Sequence, residues 1–336
     1  MEVEIQPGIS QFERYIIFGP YEDGGCSSVD WGWDKKEQRW VVLKRLKSEN
    51  VKRIEEEVRI SRCFLDIKQC VPCWDWFRVD ASPRSQHCLV FEYIDHFRLR
   101  DVLYHMNWVD IARFIGQFLW VVNHFHERGI IHRDIKPGNL LLDKQSLDVR
   151  IIDFGMCIAG ERREGKKWGW RRVSPKSGTL QFITPEQERA ILREEEFYPS
   201  PAMDIWAVGC ILLEWWVGKG PYFPAQSVQK WKKLRELWVP MEEYENPIFD
   251  ITKKRRSSKL QLQKETLFKM KREDIEVPED SQFFDFLEKM IELYPQKRWS
   301  AKKLLKHPFL YEVEYKTCFL YDLVQRVLDS PEKSNL

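Results

Sequence analysis

The chain has 336 residues, 43% of them hydrophobic and 32% charged, and its 54 basic and 52 acidic side chains leave a formal net charge of +2. That apolar fraction excludes global disorder, and so small a net charge argues against nucleic acid as the main partner. The length is long for one core and normal for two.

The opening residues, MEVEIQPGIS, are acidic and mixed rather than basic and then apolar, so no secretory signal is expected. The best membrane candidate, IWAVGCILL (205–213), stops at Glu214, short of the ~18 apolar residues a spanning helix needs. The eight cysteines are scattered through apolar runs, which reads as reduced thiols and an intracellular location, cytoplasmic or nuclear. Cys70-Val-Pro-Cys73 has zinc-knuckle spacing, but no second such pair accompanies it. The 15 tryptophans are expected to fill cores and rim pockets.

From Tyr15 to about Tyr93, RYIIFG, SSVDWGW, WVVLKRL, WDWFRV and HCLVFEY are short β-branched and aromatic runs between turn residues, and so read as strands. One helix, roughly Lys52 to Phe64, interrupts them. The segment EDGGCSSVDWG (22–32) sits between the first two strands, where a phosphate-cradling loop would sit, but it is poor in glycine. A hinge is expected near Glu92–Asp95.

Beyond Leu99 the periodicity becomes helical. VDIARFIGQFLWVVNHFHERG (109–129) carries apolar residues at helical spacing and ends at a glycine. The segment GERREGKKWGWRRVSPK (160–176) is basic and glycine-broken, an exposed loop. Further helices are expected around 202–217, 281–293 and 300–306. TKKRRSSK, within 252–264, reads either as a nuclear-import signal or as a solvated loop face, and the residues after Asp329 read as frayed. A strand-rich part with one helix, followed by a helical part, predicts an α+β protein of two lobes.

The chemistry concentrates in IIHRDIKPGNLLL (130–142) and RIIDFGMCI (150–158). Phosphoryl transfer needs positioned metal ions and a carboxylate near the acceptor hydroxyl. Asp134 can orient that hydroxyl and take its proton, Asn139 and Asp153 can hold Mg²⁺, and Lys136 can neutralise charge on the phosphoryl group in flight. Asp153 opens Asp-Phe-Gly fourteen residues after Asn139.

These motifs, in this order and spacing, resemble the eukaryotic protein kinase family. The resemblance covers about residues 12–310. It implies an N-lobe over 12–94 with one main helix and a mostly helical C-lobe over 95–310, between an extension (1–11) and a tail (311–336). It implies ATP and Mg²⁺ as cofactors. Val41-Val42-Leu43-Lys44 matches the strand whose lysine meets the nucleotide phosphates. The helix offers Glu55, Glu56 and Glu57 as that lysine's partner. Glu57 fits best, which puts Ser61 where an apolar residue is usual and could loosen the helix.

Phe91, Glu92 and Tyr93 match the adenine-contacting hinge, with Phe91 at the back of the pocket. The family's glycine-loop pattern lands on Glu22, Gly24, Ser27 and Val29, and only Gly24 is a glycine. A weakened grip on phosphate follows. GTLQFITPE (178–186) resembles the end of an activation segment, DIWAVG (204–209) the helix that braces the catalytic loop, and Arg298 the ion-pair partner of Glu186.

Lys136 and Gly178-Thr179 imply transfer to Ser or Thr hydroxyls of protein substrates. The alternatives are a pseudokinase acting as a binding module and, more remotely, a small-molecule or lipid kinase. Arg133 is of the kind that docks an activation-segment phosphate, with Ser174 and Ser177 as candidates; alternatively Trp168 and Trp170 hold the loop in order by themselves. Arg98, Gly138 and the basic residues of 162–176 stand where arginine-selecting kinases keep carboxylates or face the substrate, which implies acidic or phospho-primed protein substrates. No membrane or direct nucleic-acid partner is expected.

Overall fold

A computed structural model describes residues 14–23, 27–46, 50–79, 86–162, 168–218, 275, 282–292 and 294–311. The chain divides into two compact units, residues 1–97 with 139–159, and residues 98–138 with 160–336.

The first unit is built on five strands, β1 (Tyr15–Asp23), β2 (Ser27–Asp34), β3 (Arg39–Leu46), β4 (Cys73–Val79) and β5 (Gln86–Glu92), in the order β1-β2-β3-β5-β4 with every neighbour antiparallel. Alternation decides which face each residue takes. Val41 and Leu43 of β3 are buried with Tyr15, Phe77, Cys88 and Val90 on one face. On the other face, helix α1 (Val51–Arg62) covers a core of Leu46, Ile54, Val58, Trp76, Leu89 and Phe91. The Asn50 side chain accepts the Arg53 N–H and starts α1, which is one residue longer at its start and two shorter at its end than the sequence implied.

In the β2–β3 hairpin Val29 pairs with Lys44 and Trp31 with Val42. The remaining strands of this unit are β8 (Leu140–Asp143) and β9 (Val149–Ile151), in one sheet with β6 (His96–Arg98), and β10 (Ile158–Ala159).

The second unit holds short helix α2 (Leu99–Val102), α3 (Trp108–Glu127), strand β7 (Ile130–Ile131), the hairpin β11 (Glu161–Arg162) and β12 (Trp168–Gly169), α4 (Pro185–Arg193), α5 (Ala202–Val217), α6 (Phe283–Met290), α7 (Ala301–Leu304) and α8 (Pro308–Tyr311). α3 begins with a reciprocal cap in which Asn107 and Asp110 each accept the other's backbone N–H. Its apolar stripe and the wholly buried face of α5 form the core with Trp215, Trp216, Phe283, Phe286 and Phe309. Within the stretch expected as helix over 281–293 lies α6, and 300–306 yields α7, followed by a turn and α8.

The tryptophans divide between core and surface. Trp76, Trp206, Trp215 and Trp216 are buried, whereas Trp40 is exposed and sits among Phe18, Trp31 and Trp33. Among the described residues, no helix is long and apolar enough to cross a membrane.

Glu214 is buried on α5 and, among the described residues, accepts the Tyr104 hydroxyl at 2.9 Å. Burial pushes its carboxyl above the ordinary 4.5, against the pull of Tyr104 and Arg100. A raised folded value means that stability is intact below pH 4.5 and declines as pH rises through that value. Glu214→Gln is therefore expected to match wild type near pH 4 and to melt at higher temperature than wild type at pH 8. Equal melting temperatures at pH 8 would contradict this.

Candidate active site

In the first unit, β3 points Lys44 away from the Val41–Leu43 core and towards α1. Its Nζ lies 2.9 Å from Glu57 Oε1 and 2.8 Å from Asp153 Oδ1. Of the three consecutive glutamates, Glu57 is thus the one that meets the lysine, because helical spacing turns it inward with Ile54 and Val58. Burial by itself would lower the Lys44 pKa, but the two carboxylates outweigh it and raise it, so the ammonium stays charged. Asp153 adopts a left-handed backbone, φ 68°, and its Oδ1 also accepts the Gly155 N–H at 3.1 Å. The Asn139 carbonyl accepts the Ile152 N–H, which fastens Asn139 beside the residue preceding Asp153.

Val29 and Val42 are half-buried, on the same face of the hairpin as Lys44. Phe91 is buried, Tyr93 is exposed, and Glu92 is ion-paired with the buried Arg150. Gly24 lies outside the described residues.

Ser61 does not loosen α1. Its hydroxyl donates to the Val58 carbonyl at 2.9 Å and accepts the Cys73 N–H at 3.1 Å, tying the helix to β4. The apolar support comes from Phe64, buried and stacked on Phe154 at 5.9 Å, which sequence pattern had not singled out. Of the zinc-spaced pair, Cys70 and Cys73 are both buried, and burial raises the Cys73 thiol to about 12.

In the second unit, Asp134, Lys136 and Thr179 form a closed ring of hydrogen bonds. Lys136 Nζ donates to Asp134 Oδ2 at 2.8 Å and to Thr179 Oγ1 at 2.9 Å, and the Thr179 hydroxyl donates to Asp134 Oδ1 at 2.8 Å. Gly178 permits this closure: with φ 82°, its missing Cβ would stand 2.7 Å from the Arg133 carbonyl. Behind the ring, Asp204 at the start of α5 accepts the backbone N–H of His132 and of Arg133, each at 2.9 Å, and pairs with His126 Nε2 at 3.0 Å. Burial would raise the Asp204 carboxyl, but the His126 hydrogen bond and charge and the backbone N–H groups hold it below its ordinary value.

Arg133, at φ 69°, donates to the Ser177 hydroxyl at 2.7 Å. Gln187 Nε2 donates to the Pro175 and Ser177 carbonyls, at 2.9 and 2.6 Å. Arg133, Asp134, Thr179, Phe182, Gln187 and Asp204 line one concavity. His126 and Gln187 carry no motif in the sequence, and only the fold shows their part. Glu186 receives a bidentate ion pair from Arg298, at 2.7 and 2.6 Å. Arg163, Lys166, Lys167 and the 252–264 run lie outside the described residues.

The family model of the protein kinase domain matches residues 22–310. The chain belongs to the protein kinase family. Its sheet-built unit and its helical unit are those of the two-lobed α+β kinase fold. A probable serine/threonine-protein kinase of Dictyostelium discoideum is 25% identical over 308 residues, which cover 88% of this chain and 47% of that protein. A probable casein kinase II subunit alpha homolog of Encephalitozoon cuniculi is 29% identical over 227 residues, 64% of this chain and 62% of that protein. The kinase chain thus spans less than two thirds of the length of either relative. A probable cell division control protein 7 homolog of Encephalitozoon cuniculi is 25% identical over 338 residues, 88% of this chain and 92% of that protein.

Asp204→Asn replaces one acceptor oxygen of this kinase by an N–H group that faces other donors. It is expected to cost about 1–3 kcal/mol at pH 7, because a buried N–H donor is left without its acceptor. Because the folded value lies below 3.8, the wild-type advantage is complete above that pH and shrinks as pH falls through the lowered value. Urea unfolding of both proteins at pH 7 and pH 3 checks this; a difference independent of pH contradicts it.

Proposed function

We propose that this chain is an active kinase that transfers the γ-phosphoryl group of Mg·ATP to Ser or Thr hydroxyls of protein substrates. The ring of Asp134, Lys136 and Thr179 is the observation that carries this reading. The Asp134 carboxylate receives a hydroxyl donor at 2.8 Å from Thr179, so it is built to orient such a group and accept its proton. Lys136, held on the same carboxylate, supplies positive charge where the phosphoryl group would pass.

Lys44, fixed by Glu57 and Asp153, would meet the nucleotide phosphates, and Val29, Val42, Phe91, Glu92 and Tyr93 would line the base, with Gly24 in the phosphate loop. Asn139 and Asp153 offer hard oxygen donors of the kind that suits Mg²⁺. When bound, the ion would supply charge neutralisation on the phosphates. The glycine-poor loop favours the second reading, a pseudokinase that binds nucleotide or partners without turnover.

Steady-state assays of the full chain with Mg·ATP and a degenerate peptide library separate the two. Asp134→Asn is expected to lower kcat by roughly 10²–10⁴ while ATP affinity stays within about twofold. Lys44→Met is expected to weaken productive phosphate positioning, and Asp153→Asn to weaken metal binding. Nucleotide binding without wild-type turnover would establish the binding-module reading instead.

The substrate class is proposed to be acidic or phospho-primed. Arg98, Arg162, Arg171, Arg172 and Lys176 are exposed, and Arg172 lies over Tyr198 at 5.0 Å. Such a rim attracts Asp, Glu or phosphoserine near the acceptor through steering and direct pairing. Peptides with acidic flanks are expected to be phosphorylated faster by about tenfold at low salt, with the advantage fading towards 0.5 M as screening sets in. An upstream-arginine preference insensitive to salt would refute this.

A further inference from the structure

Strands β11 and β12 pair antiparallel, and the residues that flank them, Gly160 and Trp170, meet at one point. The Gly129 carbonyl accepts the Gly160 N–H at 2.7 Å and the Trp170 indole N–H at 3.0 Å. Two residues earlier, the Glu127 carbonyl at the end of α3 accepts the Trp168 indole N–H at 3.2 Å. The Trp168 ring lies over Gly129, so close that a Cβ there would stand 2.4 Å from Cδ2. Gly129 itself has φ 72° and closes α3 through its own N–H to His126. The last carbonyl of α3, Glu127, which has no acceptor role within the helix, is thus satisfied by the segment.

What lies on either side gives these contacts a consequence. Gly129 is five residues before Asp134, and Trp170 is nine before Thr179, so the two indoles join the segment to the chain that leads into the reactive ring. Beyond Trp170 the segment is held again: Val173 bridges Phe197, Gln187 binds the Pro175 and Ser177 carbonyls, and Ser177 takes Arg133. All of these partners are neutral side chains or backbone, apart from Arg133, which the bare Ser177 hydroxyl already engages. None of them requires a phosphate.

We infer that Trp168 and Trp170 form a positioning clamp that orders the activation segment without phosphorylation and so holds Thr179 on Asp134 and Lys136. This rests on the phosphoryl-transfer reading for its kinetic consequence, but not for its structural one. The indoles act through the segment and do not touch the reacting groups.

The test uses the full chain treated with phosphatase and shown by mass spectrometry to be unmodified. Amide hydrogen exchange over 168–179 is expected to remain slow, and turnover to stay within about twofold of the untreated protein. Trp170→Phe keeps a ring and removes the N–H donor. Gly129→Asn tolerates the left-handed backbone but drives a Cβ into Trp168. Each is expected to speed exchange over 168–179 and to lower kcat by about tenfold, the worth of one or two hydrogen bonds, with KM for ATP unchanged.

Rapid exchange over 168–179 in the unmodified wild type would overturn the clamp. So would a loss of turnover on phosphatase treatment, or wild-type exchange in both variants. Should the wild type show no turnover at all, the kinase reading fails, and the exchange data still decide the clamp.

Discussion

The loop that carries Asp134 in the helical unit depends on one buried carboxylate. Asp204 is 1% exposed and would be costly to bury alone, yet three donors from two places in the chain converge on it. His126 comes from the last turn of α3; the N–H groups of His132 and Arg133 come from the loop that follows β7. Each satisfies a group that would otherwise be buried without a partner, so the anchor and the loop stabilise one another. The left-handed turn at Arg133, which costs about 1–3 kcal/mol for a non-glycine residue, persists because Asp204 and Ser177 hold both ends of that residue. One residue later stands Asp134.

The sheet-built unit solves a related problem with opposite sign. There a lysine is drawn into a largely buried position, with 15% of its side chain exposed, and two carboxylates keep it charged. Glu57 reaches it only because α1 is held in place. Ser61 bonds the helix to β4, and Phe64 stacks on Phe154, the residue after Asp153. A polar residue in an apolar setting therefore strengthens the attachment, since its hydroxyl answers a buried N–H that no apolar side chain could satisfy.

Between the Asp-Phe-Gly turn and α4 the chain combines two chemistries. Its tryptophans satisfy backbone carbonyls, Gln187 of α4 satisfies two of the segment's own, and together they give order. Its arginines, exposed and laid over aromatic rings at Trp168 and Tyr198, give charge. Anchoring through neutral donors leaves that positive charge outward.

The sequence by itself determined the family, the order of strands and helices, and the residue types that carry the chemistry. HRDIKPGN and DFG are local in the chain, and their spacing reflects turns only a few residues long. β-Branched and aromatic runs between turn residues located β1 to β5, and helical periodicity located α3, because buried faces write themselves into composition and pattern. Helix ends near α6 and α7 were less legible, since capping and packing rather than periodicity stop them. Tertiary structure alone decided that Phe64 stands behind Phe154, that His126 shares Asp204, and that Gly129 receives Gly160 and Trp170. These pairs are separated by 31 to 90 residues along the chain, from Gly129 and Gly160 to Phe64 and Phe154. Nothing in a single sequence encodes such a distance; it exists only once the backbone has brought the partners within hydrogen-bonding or packing range.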